Sequence, residues 1–249
     1  MLVGCTGCNV VFPLEPPRDA ASDALTGHDE DRDGIDDGID PCPHLASANL
    51  GDTDGDGIGD DCDPYPNLLG DERYFYSFVD GIRDLDVAAS FHQVDDAIEL
   101  VEANQQLQSL YLPIPDADDV ELELGYQLLA PMPDGAYHEV GVFAVGHGVN
   151  DLATQGDVCY GGYDAEPYLD VQESGTGVAM RYVMMAPTFD VPATVHMRRT
   201  PEQVRCSLVI PGGQSDGTIV PQISQPGRTG IAVGFARARL LYLWVFVHH

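Results

Sequence analysis

The chain has 249 residues, with 41 acidic groups against 11 basic ones, and its formal net charge is −30. Its hydrophobic content of 44% is enough for a core, so the composition excludes wholesale disorder. The strongly negative charge argues against a nucleic-acid partner, whose phosphates need a basic surface. The longest apolar run, Leu240 to Val247, has eight residues and is far shorter than the roughly 20 that a membrane-spanning helix needs.

The amino-terminal segment, residues 1–28, is predicted to be a flexible tether behind a lipidation signal. Leu2-Val3-Gly4-Cys5 resembles the lipobox of bacterial lipoproteins, in which small residues precede the cysteine that becomes acylated. The resemblance implies a lipid anchor at Cys5, which is the only membrane contact that we expect. Because only four residues precede Cys5, we expect a start upstream of Met1 or a chain cut near its mature end; a chance match is the alternative. Residues 9–27, rich in Pro, Ala, Ser and Asp, form the tether.

The next segment, residues 29–66, is dominated by aspartate. Between Asp29 and Asp63 there are 13 carboxylates and one arginine, so this stretch has a charge of −12 and too few apolar residues for a core of its own. Residues 29–40 and 52–63 both place aspartate at positions 1, 3, 5, 9 and 12 of a twelve-residue loop, with glycine at position 6. Carboxylates spaced in this way on a tightly turning backbone converge on one point, as calcium with six to eight oxygen ligands requires.

We therefore predict that this segment is a pair of calcium-binding loops. An acidic disordered linker is the alternative, and an EF-hand or dockerin-like pair is disfavoured because prolines flank the loops and position 12 is Asp rather than Glu. The predicted ligands are the carboxylates, together with the backbone carbonyls of the isoleucines at position 7: Asp29, Asp31, Asp33, Ile35, Asp37, Asp40, Asp52, Asp54, Asp56, Ile58, Asp60 and Asp63.

Residues 29–66 resemble thrombospondin type 3 repeats in the spacing of their Asp, Gly and Cys residues. The resemblance implies that the chain wraps around a line of calcium ions and that Cys42 is bridged to Cys62, which in turn implies an oxidising compartment. The chain departs from the family at Ser47 and Leu50, where Asn and Gln are usual. We expect calcium binding and folding of this segment to be one event, with an affinity suited to extracellular calcium.

Residues 67–249 are predicted to form an antiparallel β-sandwich or jelly roll, so the fold class is mainly β. Short runs rich in Val, Leu, Tyr and Phe alternate with Gly, Pro and Asp turns, and the pattern shows no convincing amphipathic helix beyond a short helical turn expected at residues 84–89. Cys159 and Cys206 are either a second bridge or two buried thiols. The predicted strands are residues 73–79, 97–102, 107–112, 120–129, 139–146, 158–160, 177–185, 193–198, 203–210, 230–236 and 239–247.

This region resembles the concanavalin A-like, laminin-G-type jelly roll. The resemblance lies in a strand–turn–strand at residues 195–206 and in a closing pair of strands at residues 230–235 and 240–246. It implies binding of glycans or extracellular proteins and, in some members, cleavage of glycans. Glu121 and Glu123 share a strand face but lack the intervening Asp of the sandwich glycosidases, so we predict that the protein is not an enzyme.

A sugar-binding patch is predicted around Gly161-Gly162, where tyrosines can stack on sugar rings and carboxylates can accept hydrogen bonds from hydroxyls. The alternative is that these tyrosines pack into the edge of the sandwich. The residues of the predicted patch are Asp157, Tyr160, Tyr163, Asp164 and Tyr168.

As a whole, the sequence predicts a secreted or outer-surface, lipid-anchored, calcium-binding protein for adhesion or recognition. Its jelly-roll head is expected to bind an extracellular glycan or protein, and the acidic repeats are expected to act as a calcium-stiffened spacer. One alternative is a structural envelope protein that acts by self-assembly, and another is a carbohydrate hydrolase or lyase.

Overall fold

The computed structural model describes residues 27–79, 85, 91–100, 107–130, 138–146, 156–164, 166–174, 178–183, 189–221, 226–234 and 236–249. Cys5 and the predicted tether up to residue 26 lie outside the described residues, as does the predicted helical turn apart from Leu85. The described part of the chain is all-β, and it contains no helix with the length and apolar character needed to cross a membrane. Residues 27–70, which we call the acidic loop segment, form turns and bends without a strand or a helix.

Among the described residues there are fourteen strands, which form two antiparallel sheets. In chain order they are β1 (Glu72–Tyr76), β2 (Phe91–Val94), β3 (Ala97–Leu100), β4 (Leu107–Tyr111), β5 (Val120–Ala130), β6 (His138–Gly146), β7 (Gly156–Asp164), β8 (Glu166–Ser174), β9 (Val178–Val183), β10 (Pro192–Arg199), β11 (Val204–Ile210), β12 (Gly213–Ile219), β13 (Arg228–Gly234) and β14 (Arg237–Val247). The eight-stranded sheet has the order β12-β11-β10-β5-β14-β3-β2, with β1 also paired to β14, and the six-stranded sheet has the order β4-β13-β6-β7-β8-β9.

The predicted antiparallel β-sandwich is confirmed, and the strands that the sequence did not reveal lack a clear apolar pattern. β12 is mostly polar and lies at one edge of the eight-stranded sheet, and β2 has only four residues at the other edge. β8 has Pro167 at its second position. Edge strands are half solvated and tolerate polar residues, and proline is admitted at a strand start, so composition alone does not identify them.

The core lies between the two sheets, because alternate residues of each strand point to the same face. Along β10, burial alternates with the sequence, and Ala193, Val195 and Met197 lie inside. The hairpin of β10 and β11 is formed as expected. The expected closing pair of strands is also present, but β13 lies in the six-stranded sheet and β14 in the eight-stranded one, so the chain crosses between the sheets there.

Two cross-links join the sheets through the core. Cys159 of β7 is bridged to Cys206 of β11, so of the two alternatives for these cysteines the structure has the bridge. The guanidinium of Arg199 in β10 forms a fully buried ion pair with Asp157 in β7, with Nε and Oδ2 3.2 Å apart. A buried charge needs a partner of this kind, because an isolated charge is costly away from water.

The acidic loop segment packs on the outer face of the eight-stranded sheet. Ile58 is buried against Trp244 and Phe246 of β14, and the ring of His44 stacks on Trp244 with centroids 4.4 Å apart. The hydroxyl of Tyr65 donates to the Asp119 carboxylate at 3.0 Å. The loops are therefore anchored to the sheet by apolar contacts as well as by hydrogen bonds, and the sheet fixes where their carboxylates lie.

Candidate functional site

The two twelve-residue stretches fold in the same way around their first aspartate. Gly34 N–H donates to Asp29 Oδ2 at 2.9 Å, and Gly57 N–H donates to Asp52 Oδ2 at 3.0 Å. Both glycines have a positive φ, 97° and 94° respectively, in the left-handed region where a side chain is disfavoured. The glycine at position 6 is thus required by the turn that brings the later carboxylates back toward the first one.

Many of the aspartates in and next to the loops keep one oxygen without a hydrogen-bond partner. In each, one side-chain oxygen accepts a hydrogen bond from a backbone N–H, or in one case contacts a histidine ring, while the other oxygen is buried and has no partner. Burying an anionic oxygen without a donor is costly, and a cation with oxygen ligands removes that cost. These aspartates are Asp29, Asp31, Asp40, Asp54, Asp56, Asp63 and Asp71.

The described residues contain three groups of aspartates whose oxygens converge. The first is Asp29, Asp31 and Asp33, and the second is its equivalent in the second loop, Asp52, Asp54 and Asp56. Within each group one carboxylate oxygen per residue lies within 4.8 Å of the others. Two oxygens bound to the same calcium ion lie at most about 5 Å apart, because calcium–oxygen distances are about 2.3–2.6 Å. Both groups have the spacing that calcium needs.

The third group contains a residue that the sequence analysis missed. Asp71 lies close to Asp56 and Asp63, although it stands eight positions beyond the end of the second loop. The twelve-residue register could not reveal it, because Asp71 reaches the loop through the fold and not through its spacing. It precedes β1, and the Nδ1 atom of His248, just after β14, contacts its Oδ1 atom.

The predicted ligands at position 9 form hydrogen bonds within their loops. Both oxygens of Asp37 are engaged, one by Glu30 N–H at 2.9 Å and the other by the His28 ring at 2.6 Å. Asp60 likewise accepts from the backbone and the hydroxyl of Thr53, both at 2.8 Å. In the described residues, neither these two nor Asp40 belongs to a convergent group. The position-9 carboxylates close the loops, and their role as ligands stays a prediction, as does that of the Ile35 and Ile58 carbonyls.

Burial and mutual repulsion raise the pKa of four aspartates in the loops. Burial, with neighbouring carboxylates adding to it, raises the pKa of Asp31 to about 6 and the pKa of Asp63 to about 6. The pKa values of Asp40 and Asp56 are raised for the same reasons. A bound divalent cation would hold these groups in their charged form, since an opposite charge nearby favours ionisation.

A polar cleft lies beside the acidic loop segment on the outer face of the eight-stranded sheet. Its volume is about 610 Å³, and its walls come from β5, β10, β11 and β12. His196 Nε2 lies 2.8 Å from Glu121 Oε1, and Arg198 Nε lies 3.4 Å from the other oxygen of Glu121. The polar side chains along the cleft are Glu121, His196, Arg198, Arg205, Ser207, Asp216 and Thr218. The cleft therefore offers both donors and acceptors.

The predicted tyrosine patch is not formed, which corrects the sequence analysis. Gly161 and Gly162 lie inside β7 rather than in a loop, so alternate residues there face opposite sides of the sheet. Tyr160 and Tyr168 are buried on the outer side, and Asp157 is buried in the core. The ring of Tyr163 packs edge-on against Phe189, at 4.6 Å between centroids. The side chain of Asp164 lies outside the described residues.

Glu121 and Glu123 share the outer face of β5, as the alternation of the strand predicted. Glu121 is engaged by His196 and Arg198 in the cleft. Glu123 accepts a hydrogen bond from the Tyr242 hydroxyl at 2.8 Å, and burial raises its pKa. The two carboxylates are thus held by different partners within the sheet.

No family model matches the chain, and no curated protein matches it. Among solved structures, the acidic lectin of winged bean complexed with methyl-α-D-galactose is similar, with a TM-score of 0.55 and 7% identity over 71% of this chain and 98% of that one. The basic winged bean lectin with Tn-antigen has a TM-score of 0.54 and 10% identity over 71% and 98%. The Ca²⁺-bound exoplasmic/lumenal domain of VIP36 has a TM-score of 0.50 and 11% identity over 68% and 87%. The sandwich therefore has the same jelly-roll fold as these lectin domains.

Proposed function

We propose that the protein is an extracellular, calcium-binding, lectin-like protein that recognises a carbohydrate and is not an enzyme. The observation that carries the calcium assignment is the repeated geometry of the two loops, in which carboxylate oxygens converge while several of them lack a hydrogen-bond partner. Oxygen-only ligand sets of this kind suit a hard cation such as calcium. The thrombospondin type 3 resemblance agrees with this geometry.

Carbohydrate recognition is supported by the fold and by the polar cleft. The similar winged bean lectin was solved with methyl-α-D-galactose, and the VIP36 domain was also solved in a Ca²⁺/mannose-bound form. In this chain the cleft has carboxylate, hydroxyl, imidazole and guanidinium groups side by side. Sugar hydroxyls both donate and accept hydrogen bonds, so a surface of this composition can satisfy them. We place the sugar in this cleft.

The cystines Cys42–Cys62 and Cys159–Cys206 support an oxidising, extracellular or lumenal location, and the similar VIP36 domain is exoplasmic/lumenal. The lipid anchor at Cys5 is part of this proposal, and it rests on the lipobox resemblance alone. Cells that express the full-length protein, with Cys5 intact or replaced by Ser, are grown in labelled fatty acid to test that part. The label should enter the protein with Cys5 and not the Cys5→Ser variant.

A glycan array tests carbohydrate recognition. We expect the intact protein to bind a defined set of glycans in the presence of calcium. Asp216 and Thr218 are exposed, and we expect Asp216→Ala and Thr218→Ala to bind these glycans at least tenfold more weakly. Glu202→Ala, an exposed acidic residue in the turn beside the cleft, is the control and should bind as the wild type does. Equal binding by all variants would place the sugar elsewhere, and release of reducing sugars from a polysaccharide panel would overturn the non-enzymatic assignment.

A further inference from the structure

We propose that Asp56, Asp63 and Asp71 form a further calcium site, which fastens the acidic loop segment to the sandwich. This inference rests on the proposed calcium binding of the loops and extends it to a residue outside the repeats. The site differs from the two loop groups because its ligands come from two parts of the fold. Asp56 and Asp63 belong to the second loop, and Asp71 immediately precedes β1.

The three carboxylates are close enough to share one ion. One oxygen of each lies within 4.8 Å of the other two, which matches the limit of about 5 Å for two oxygens on the same calcium ion. Asp71 has 6% of its surface exposed and Asp63 has 8%. Water therefore has little access with which to screen their repulsion, and close carboxylates in such a place need a cation.

Each of these carboxylates is held by one oxygen and leaves the other without a partner. Asp56 Oδ1 accepts from Ile58 N–H at 3.0 Å, Asp63 Oδ1 accepts from Tyr65 N–H at 2.6 Å, and Asp71 Oδ1 contacts the His248 ring. In all three residues the Oδ2 atom is buried and has no hydrogen-bond partner. The side chains are thus oriented in advance, and three anionic oxygens remain for a ligand that the protein itself does not supply.

The site lies where the second loop meets the start of β1 and the end of β14. β1 begins at Glu72, which pairs with Val247 at the end of β14. Asp71 therefore lies where β1 begins and β14 ends. His248 N–H also donates to the Asp119 carbonyl at 3.0 Å. An ion here would link the second loop, the start of β1 and the carboxyl-terminal end of the chain. Calcium would then stabilise the sandwich as well as the loops.

The number of bound ions tests this site on the full-length chain. Equilibrium dialysis against calcium should give one ion fewer per chain for Asp71→Asn than for the wild type, or at least tenfold weaker binding of one ion. Glu72→Gln is the matched control, since it removes the same charge from the neighbouring, exposed residue, and its ion count should equal that of the wild type. An unchanged count and affinity in Asp71→Asn would overturn the proposal.

Hydrogen exchange on the unaltered protein gives a second test, which does not depend on how the variant folds. Calcium should slow exchange of the backbone amides at residues 71–74 and 246–249 as well as within residues 29–63. Slower exchange confined to residues 29–63 would remove this site and leave the proposed calcium binding of the loops intact. No calcium uptake at all by the wild type would overturn both.

Discussion

At the residue scale, the contact between His196 and Glu121 gives the polar cleft a titrating group. Burial opposes protonation of His196, but the hydrogen bond to Glu121, with the charges of Glu121 and Glu123, outweighs it and raises the pKa of His196. Replacing Glu121 by Gln removes the main favourable charge while burial remains, so we expect the pKa of His196 to fall. A pH titration of the His196 ring signals by NMR measures this change.

The same pair predicts how stability depends on pH. Because the pKa of His196 is higher in the folded chain than its usual value of about 6.5, the stabilisation is fully present below that value and is lost as the pH rises through the folded-state pKa. Urea unfolding should therefore show a larger loss of stability in Glu121→Gln at about pH 6 than at about pH 8. Glu202 is exposed, so Glu202→Gln should leave the stability unchanged at both pH values. An equal loss of stability in Glu121→Gln at both pH values would contradict the stabilising role of the His196–Glu121 pair.

At the element scale, the docking of the second loop on β14 depends on one apolar side chain. Ile58 is 1% exposed and packs on Trp244 and Phe246, whereas Ile39 of the first loop is 75% exposed. We expect Ile58→Ala to reduce the free energy of unfolding by about 2–5 kcal/mol and Ile39→Ala to change it by less than about 0.5 kcal/mol. Trp244 is the only tryptophan, so its fluorescence during urea unfolding measures the free energy of unfolding of both variants. Similar losses of stability in Ile58→Ala and Ile39→Ala would show that the loops are not docked on the sheet.

The elements also show what the sequence could and could not reveal. The aspartate register and the apolar runs predicted the two loops and most strands, because both depend on local spacing. The apolar run that ends at Val247 carried a further signal, since a strand that is apolar on both faces has both faces covered, and here the loops cover the outer one. The third carboxylate group depends on where the second loop meets the start of β1, which is a property of the tertiary fold. The tyrosine patch fails because Gly161 and Gly162 lie inside β7, although their composition favours a turn.

At the scale of the whole molecule, the Cys159–Cys206 cystine joins the two sheets and closes a separation of 47 residues in the chain. A link of this length contributes about 4 kcal/mol in the chain-entropy model, so replacing both cysteines by Ala should lower the free energy of unfolding by about 2–5 kcal/mol. Urea unfolding followed by circular dichroism measures this loss in the sheets.

Replacing Cys42 and Cys62 should mainly raise the protease sensitivity of the acidic loop segment. If this replacement lowered the stability of the sheets more than loss of Cys159 and Cys206 does, the two cystines would not act on separate parts of the fold.

The net charge of −30 means that any added cation will relieve some repulsion, so the calcium effect has to be separated from screening. The proposed calcium coordination at the three carboxylate groups would stabilise only the folded chain, by about 2.7 kcal/mol per site at one hundred times the dissociation constant. We therefore expect calcium at millimolar concentration to raise the midpoint of thermal unfolding by several degrees and to protect residues 29–63 from protease, with both effects reversed by a chelator.

Sodium chloride of matched ionic strength should have neither effect. Magnesium should have a smaller effect than calcium, because it loses its water reluctantly and demands a regular octahedron of ligands. If sodium chloride reproduced the calcium effect, screening alone would account for the order of the acidic loop segment, and the convergent oxygens would not be metal ligands.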